Sequence, residues 1–242
     1  MNIKHFIRKI IYKEDATSES LLEFLRQKGA QIGSDVMVWA PNKTLIDKTN
    51  PWLIKIGNHV RITEGVKVLT HDYSWSVLKG YDSKTVCPGA ILGSQKPVEI
   101  GSNVFIGMNA IITCGVKIGD NVIIGAGSVV TRDCASNGVY AGNPARFIMS
   151  IEDFYAKRAA NQFPEAKEMA IRYKSRFGID PPREIFDEHF MLFLSPEEAV
   201  KNARFRFQMN TSENFDQSVQ YMNGHKPMFP NYEAFLEACF KE

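Results

Sequence analysis

A six-residue periodicity between Ile100 and Val130 constrains the fold of this chain more than any other feature. The residues that open the units are aliphatic: Ile100, Ile106, Ile112, Ile118, Ile124 and Val130. A helix has 3.6 residues per turn and cannot keep this register, and a hairpin strand alternates in twos. Repeats of this length are typical of a parallel β-helix, in which three units of one strand and one turn close each coil. A sandwich of short strands is the alternative fold.

The residue types inside each unit agree with this fold. We expect the openers to point into a narrow core, together with a smaller residue two places before the next opener: Val104, Ala110, Val116, Val122 and Ser128. Glycine and asparagine recur at the intervening turns, where φ can be positive: Gly101, Gly107, Gly119, Gly125, Asn103, Asn109 and Asn121.

The repeat continues towards the N-terminus. The sixes are regular from Ile56 to Val68, and counting back from Ile56 gives Asn50, Thr44, Val38 and Ile32 as openers. Asn50 does not suit a core, so residues 46–52 are predicted to be an irregular side or a small excursion. Before the repeat, Thr17 or Ser18 is a plausible N-cap for a helix that ends at Gly29 and covers the open end of the coil.

The pattern is absent between Val68 and Ile100. We therefore expect an inserted loop at residues 71–97, and its aromatic residues and His71 favour a functional role. The predicted organisation is an N-terminal helical cap (1–31), a β-helix domain (32–149) and a C-terminal helical extension (150–242), in a mainly β chain. Helices are expected at Pro164–Phe177, from Ser195 through Phe207, and after Asn231.

Composition excludes several classes of function. A net charge of +2 over 242 residues does not favour nucleic-acid binding. No window has the apolar length of a transmembrane span, and the basic start, Met1 to Glu14, lacks the features of a signal peptide. The four cysteines are scattered without a C-x-x-C motif, which favours reduced thiols and a cytoplasmic location. Cys87 is a possible acyl-carrying nucleophile, but no base is marked beside it.

Three motifs resemble the hexapeptide-repeat acyltransferases, in the branch of galactoside, maltose, capsule and lipopolysaccharide O-acetyltransferases. They begin at Val98 (VEIGSNVFIG), Gly115 (GVKIGDNVIIGAGSVVTRD) and Ala141 (AGNPAR). The resemblance covers about residues 32–149. It implies a left-handed β-helix, a homotrimer, and acetyl-coenzyme A (acetyl-CoA) bound between neighbouring subunits.

The resemblance also implies site residues. The catalytic histidine of the family corresponds to His71, a general base that can take a proton from an alcohol. Asp72, or another carboxylate from the loop, could orient its ring. The predicted coenzyme contacts are Met108, Ala126, Thr131, Arg132 and Arg146, where the two arginines suit phosphate groups. The predicted contacts to the acceptor are Asp47, Asp72, Tyr73 and Trp75.

Three functions remain open at this point. The sequence favours an acetyl-CoA-dependent O-acetyltransferase acting on a sugar hydroxyl, in a surface polysaccharide or its precursor. An N-acetyltransferase on an amino sugar nucleotide would use the same fold and donor, and a non-catalytic β-helix scaffold would use neither. A zinc site of three histidines is not expected, since within the repeat only His59 and His71 are available. We interpret His5, His189 and His225 as surface or structural residues.

Overall fold

A computed structural model describes residues 10–85 and 88–241 of the chain. It divides into two compact units, one extending to Phe154 and the other beginning at Tyr155. His5 and Cys87, which the sequence analysis considered, lie outside the described residues. α-Helices and 3₁₀ turns together occupy 42% of the described residues, more than the mainly β prediction anticipated.

The first unit is built from short parallel strands in three sheets, which we name A, B and C. Sheet A contains β1 (Gln31–Ile32), β4 (Ile54–Ile56), β9 (Val98–Ile100) and β12 (Lys117–Ile118). Sheet B contains β2 (Met37–Val38), β5 (Val60–Ile62), β10 (Val104–Ile106), β13 (Val122–Ile124), β15 (Gly138–Gly142) and the antiparallel β16 (Ala145–Ser150). Sheet C contains β3 (Leu45–Ile46), β6 (Lys67–Val68), β11 (Ile111–Ile112) and β14 (Val129–Val130).

The chain passes from sheet A to B to C and back to A, so that each circuit adds one strand to every sheet. In the regular part a circuit takes eighteen residues, and Val104 therefore pairs in register with Val122. This is the arrangement of a parallel β-helix and confirms the fold predicted from the six-residue repeat. We name the turns between consecutive sheets the AB, BC and CA corners.

The core consists of the residues that the repeat assigned to it. The openers from Ile56 to Val130 are at most 2% exposed: Ile56, Ile62, Val68, Ile100, Ile106, Ile112, Ile118, Ile124 and Val130. The secondary places from Val60 to Ser128 are also buried. Each buried aliphatic side chain contributes about 1.5–3 kcal/mol of hydrophobic stabilisation.

Asparagine and glycine occur at the AB corner for different structural reasons. Asn103 and Asn121 adopt positive φ, as predicted, and the Asn103 side-chain amide donates to Asn121 Oδ1 at 2.9 Å. Gly101 does not have positive φ. A Cβ atom on Gly101 would lie 2.7 Å from the carbonyl carbon and oxygen of Gly119, one coil away. Close approach of the coils, rather than backbone conformation, therefore requires glycine there.

The first coil departs from the six-residue count. Ile46, and not Thr44, pairs with Val68 and takes the inward place in sheet C. The count failed because the BC corner of this coil is two residues longer and includes a 3₁₀ turn at Pro41–Lys43. The predicted irregular segment follows, with a second 3₁₀ turn at Pro51–Leu53. Ahead of this coil, α1 (Ser18–Gln27) is capped by Thr17, whose side chain accepts from Ser20 N.

A long segment leaves the coil at the CA corner after Thr70. Its two roots pair as antiparallel strands, β7 (His71–Asp72) with β8 (Ser94–Gln95), and α2 (Trp75–Gly80) follows β7. The backbone N–H of Lys96 donates to the carbonyl of Thr70 at 2.9 Å, which closes the neck of the segment.

The second unit contains most of a long helix and a helical core. Its helices are α3 (Ile151–Phe177), α4 (Pro196–Ala199), α5 (Ala203–Met209), α6 (Phe215–Gly224) and α7 (Tyr232–Phe240). The predicted start of α3 at Pro164 is wrong, because Ser150 caps the helix by accepting from Asp153 N and Pro164 lies inside it. The predicted helix from Ser195 through Phe207 is interrupted, because a new helix begins after Asn202. The Asn202 side-chain oxygen caps it by accepting from Arg204 N.

Phenylalanines dominate the core of the second unit. Phe186, Phe193, Phe205 and Phe235 are at most 1% exposed, and the rings of Phe186 and Phe235 lie 5.0 Å apart, edge to face. His189 is also buried, and neither of its ring nitrogens has a hydrogen-bond partner among the described residues. Burial lowers the pKa of His189, which favours the neutral ring.

The longest helix, α3, carries charged side chains along its length, so its sequence has no long apolar run. Within residues 10–85 and 88–241, no helix has the apolar length that a membrane span requires.

Candidate active site

The first unit contains a histidine–aspartate pair at the CA corner. Asp47 follows β3 and His71 lies three residues after β6, and these parallel strands are neighbours in sheet C. The corner therefore brings together two residues that are 24 positions apart. His71 Nδ1 lies 2.6 Å from Asp47 Oδ2.

The carboxylate of Asp47 is buried, and both of its oxygens accept hydrogen bonds. Its Oδ2 accepts from the hydroxyl of Thr70 at 2.6 Å and from the Thr70 backbone N–H at 3.0 Å, in addition to His71. Its Oδ1 accepts from the Thr49 N–H at 2.9 Å. Burial alone would raise the pKa of Asp47, but these hydrogen bonds outweigh burial and hold the pKa below its ordinary value. Asp47 is therefore an anion at neutral pH.

The ionised carboxylate determines the state of the His71 ring. An ionised carboxylate only accepts hydrogen bonds, so Nδ1 must carry a proton. In the neutral ring Nε2 then has a free lone pair, and a third of the side chain is exposed (34%). The pair can therefore take a proton from a solvent-side group at Nε2 and hold the resulting positive charge beside Asp47.

Asp72 does not orient His71. Its carboxylate accepts from the Ser74 backbone N–H at 2.7 Å and from the Ser74 hydroxyl at 3.0 Å, and these bonds lower its pKa. We expected a carboxylate of the loop to orient the ring, but the carboxylate beside it is Asp47, which comes from the coil. Tyr73 and Trp75 lie beyond it on the same segment, with their ring centroids 5.0 Å apart and Tyr73 67% exposed.

Two of the predicted coenzyme contacts share the CA corner with His71. Thr131 and Arg132 are exposed and follow β14, which lies two strands from β6 in sheet C. Strands are spaced about 4.8 Å apart, so these residues lie roughly 10 Å along the coil axis from His71. Among the described residues the Arg132 guanidinium has no acidic partner, which leaves it free for an anion.

The other three predicted coenzyme contacts lie at the BC corner. Met108 and Ala126 occupy successive coils there, and the Met108 carbonyl accepts from Gly127 N at 2.7 Å. Arg146 is exposed on β16, beyond a hairpin turn that contains a cis peptide bond before Pro144. Its guanidinium contacts only the carbonyl of Ala145 within the described chain. Sheet C separates this group from His71, so one chain does not bring all the predicted residues together.

A second histidine–aspartate pair, missed by the sequence analysis, lies at the AB corner. His59 Nδ1 is 2.9 Å from Asp35 Oδ2, again across 24 residues. Asp35 also accepts from Arg61 at 2.6 Å, so this carboxylate is shared with a permanent cation. His59 has positive φ, as expected for a turn residue. For the Asp35–His59 pair, the available signal was the separation of 24 residues, which is also the register between β2 and β5.

The second unit contains a cavity of about 490 Å³. Tyr155, Met191, Met222 and the stacked rings of Tyr221 and His225 are among its lining residues. None of the predicted site residues contributes to it.

Comparisons with known proteins agree with the repeat. Residues 97–132 match the family described as bacterial transferase hexapeptide (six repeats). The chain is 45% identical over 138 residues to the protein CapG of Staphylococcus aureus, a match that spans 57% of this chain and 75% of CapG.

Two solved structures are similar to part of this chain. A galactoside acetyltransferase in complex with coenzyme A is 25% identical, with a TM-score of 0.42 over 62% of this chain and 80% of that one. A maltose O-acetyltransferase from Clostridium difficile 630 is 27% identical, with a TM-score of 0.40 over 61% and 84% of the two chains. The identity carried across 75% of CapG, together with the matched repeats, shows that the chain belongs to the hexapeptide-repeat acyltransferase family.

Proposed function

We propose that this protein transfers an acetyl group from acetyl-CoA to a sugar hydroxyl, in a surface polysaccharide or its precursor, and that it works in the cytoplasm. The observation that carries the proposal is the Asp47–His71 pair, at 2.6 Å, with a third of the His71 side chain exposed at the root of the inserted segment. An alcohol is a weak nucleophile at neutral pH, and a positioned base is the group that its acylation requires.

The roles of the residues follow from this geometry. Acetyl-CoA supplies an activated thioester. His71 Nε2 takes the proton of the sugar hydroxyl as its oxygen attacks the acyl carbon, and later returns that proton to the departing sulfur. Asp47 keeps Nδ1 protonated and stabilises the imidazolium between these events. Tyr73 and Trp75 offer aromatic faces to a sugar ring from the adjoining segment, and Asp72 shapes the turn between them.

Two exposed arginines of the first unit support the binding of coenzyme A. Arg132 and Arg146 are exposed and lack acidic partners among the described residues, so both can bind phosphate groups without breaking an ion pair. Thr131, Ala126 and Met108 line the corners beside them. In a single chain sheet C separates the two arginines, and a neighbouring chain that packs along this sheet would bring a second set of corners to His71.

The outer faces of the sheets support such an assembly, which we propose to be a homotrimer of left-handed coils. On sheet A the outward residues are polar: Gln31, Lys55, Glu99 and Lys117. Sheets B and C present the apolar residues Met37, Phe105 and Leu45, which are 43%, 42% and 49% exposed, beside the outward Arg61 and Lys67. Exposed apolar residues on two faces are typical of surfaces that bind another protein.

Purified protein with acetyl-CoA and a panel of acceptors tests the proposal. We expect free thiol to appear with neutral oligosaccharides, and a His71→Gln variant to be slower by about 10²–10⁴-fold. His59→Gln is a matched control, because it removes the other aspartate-paired imidazole, and it should keep the wild-type rate.

Other outcomes separate the alternatives. Thiol release with amino sugars alone would establish N-acetyl transfer instead. Two results together would indicate a scaffold: calorimetry that detects no binding of coenzyme A, and a His71 variant that behaves like the wild type. Sedimentation of a single chain at micromolar concentration would contradict the shared site.

A further inference from the structure

Thr70 is the residue that ties the histidine–aspartate pair to the neck of the inserted segment. It is completely buried (0% exposed) and directly precedes His71. Both its hydroxyl and its backbone N–H donate to Asp47 Oδ2, at 2.6 and 3.0 Å, while its carbonyl accepts from Lys96 N at 2.9 Å. One residue thus contacts the carboxylate on one side and the returning end of the segment on the other.

Three donors converge on a single oxygen of Asp47. Two of them come from Thr70 and the third is His71 Nδ1, whereas Oδ1 receives only the Thr49 N–H. A carboxylate held at both oxygens cannot rotate about its Cβ–Cγ bond without losing bonds in a buried place, where an unmet donor is costly. The hydroxyl of Thr70 is the side-chain contact that most favours ionised Asp47.

We propose that Thr70 is a positioning residue, which acts through Asp47 to keep His71 in the tautomer protonated at Nδ1. Because its side chain is completely buried, Thr70 acts on neither the acceptor nor the donor directly. The consequence for acyl transfer rests on the proposed function, but the tautomer itself does not and can be observed in the resting protein. Through the bond from Lys96, the same residue couples the position of the segment to the alignment of the base.

Three variants separate a positioning role from a structural one. Thr70→Val keeps the shape of the side chain but removes the hydroxyl, and Thr70→Ser keeps the hydroxyl. Thr63→Val is a matched control, because the Thr63 hydroxyl donates to the Ile106 carbonyl at 2.7 Å on the BC corner and does not contact Asp47. Tryptophan fluorescence identifies variants that retain the folded first unit.

Nitrogen-15 spectra of protein labelled at histidine report the tautomer directly, with the His71 signals assigned by their absence from His71→Gln. Near pH 8 we expect wild type, Thr70→Ser and Thr63→Val to carry the His71 proton at Nδ1, and Thr70→Val to show both tautomers. With an acceptor, kcat of Thr70→Val should fall by about tenfold at unchanged KM, and Thr70→Ser should recover most of that loss.

Specific results would overturn the inference. A wild-type ring protonated at Nε2 contradicts it, even if Thr70→Val does not fold. The same holds if Thr70→Val keeps the single tautomer, or if Thr70→Ser is impaired as severely as Thr70→Val. A tautomer shift in Thr70→Val without thiol release by the wild type would support the positioning role while rejecting the proposed function.

Discussion

Replacing Asp47 with alanine removes the acceptor on which the buried network depends. Four hydrogen bonds end on its carboxylate, from Thr49 N, from Thr70 N and hydroxyl, and from His71 Nδ1. The hydroxyl can rotate, the partly exposed His71 ring can turn to water, and Thr49 is itself exposed, but the backbone N–H of Thr70 is buried and cannot move. An unmet buried donor costs about 1–3 kcal/mol, so we expect a loss of about 1–3 kcal/mol of unfolding free energy. The midpoint of thermal unfolding should fall by about 3–10 °C.

Tryptophan fluorescence measures this loss in the relevant unit. The three tryptophans of the chain, Trp39, Trp52 and Trp75, all lie before residue 155, so urea unfolding followed at their emission reports the first unit alone. Asp72→Ala is the matched control. It removes a carboxylate that only caps an exposed turn at Ser74, and should leave the unfolding free energy close to that of wild type.

Acid titration adds an independent check on Asp47. Its pKa in the folded protein lies below the ordinary 3.8, so its contribution to stability is present above that pH and is lost as the pH falls through the folded pKa. The Asp47→Ala variant should lack this part of the acid dependence. Equal losses for the Asp47 and Asp72 variants, or a loss below about 0.5 kcal/mol for Asp47→Ala, would show that the network contributes little to stability.

Two further predictions concern the corners and the second unit. Gly101→Ala should destabilise the first unit by about 1–3 kcal/mol in urea, because its Cβ would meet the Gly119 backbone at 2.7 Å, whereas Gly93→Ala, with open space around it, should be neutral. Equal stability of the two variants would contradict the close packing of the coils. Burial lowers the pKa of His189 below the ordinary 6.5, so the folded state resists its protonation and loses stability as the pH falls below 6.5. Helical circular dichroism during heating at pH 7.5 and 5.5 should show this loss in wild type and a smaller one in His189→Leu; equal losses would contradict it.

The repeat predicted the regular coils because its period alone determines which side chains point inward. From Ile56 onwards every opener is buried where it was expected. The first coil could not be predicted in the same way, since its two longer corners break the count and place Ile46 where Thr44 was expected. Corner length depends on how the chain packs against adjoining turns, and no periodic signal carries that information.

The contact between Asp47 and His71 was beyond the sequence for the same reason. It depends on the length of an irregular coil, so the loop neighbour Asp72 was the more natural partner to expect. The start of α3 shows a different limit, because Pro164 is a strong local signal for a helix start. Here the Ser150 cap and the helix-forming residues that follow it outweigh that signal, and the proline is accommodated within the helix.

The unequal corners determine where this chain can acquire new sequence. Along the AB corner, successive turns lie so close together that not even a methyl group fits at Gly101. At the CA corner, by contrast, the step from Ile56 to its partner Ile100 takes forty-four residues instead of eighteen, and the strands on either side still pair in register. Added sequence is thus free to accumulate at one edge of the coil, while the opposite edge keeps the spacing between turns constant.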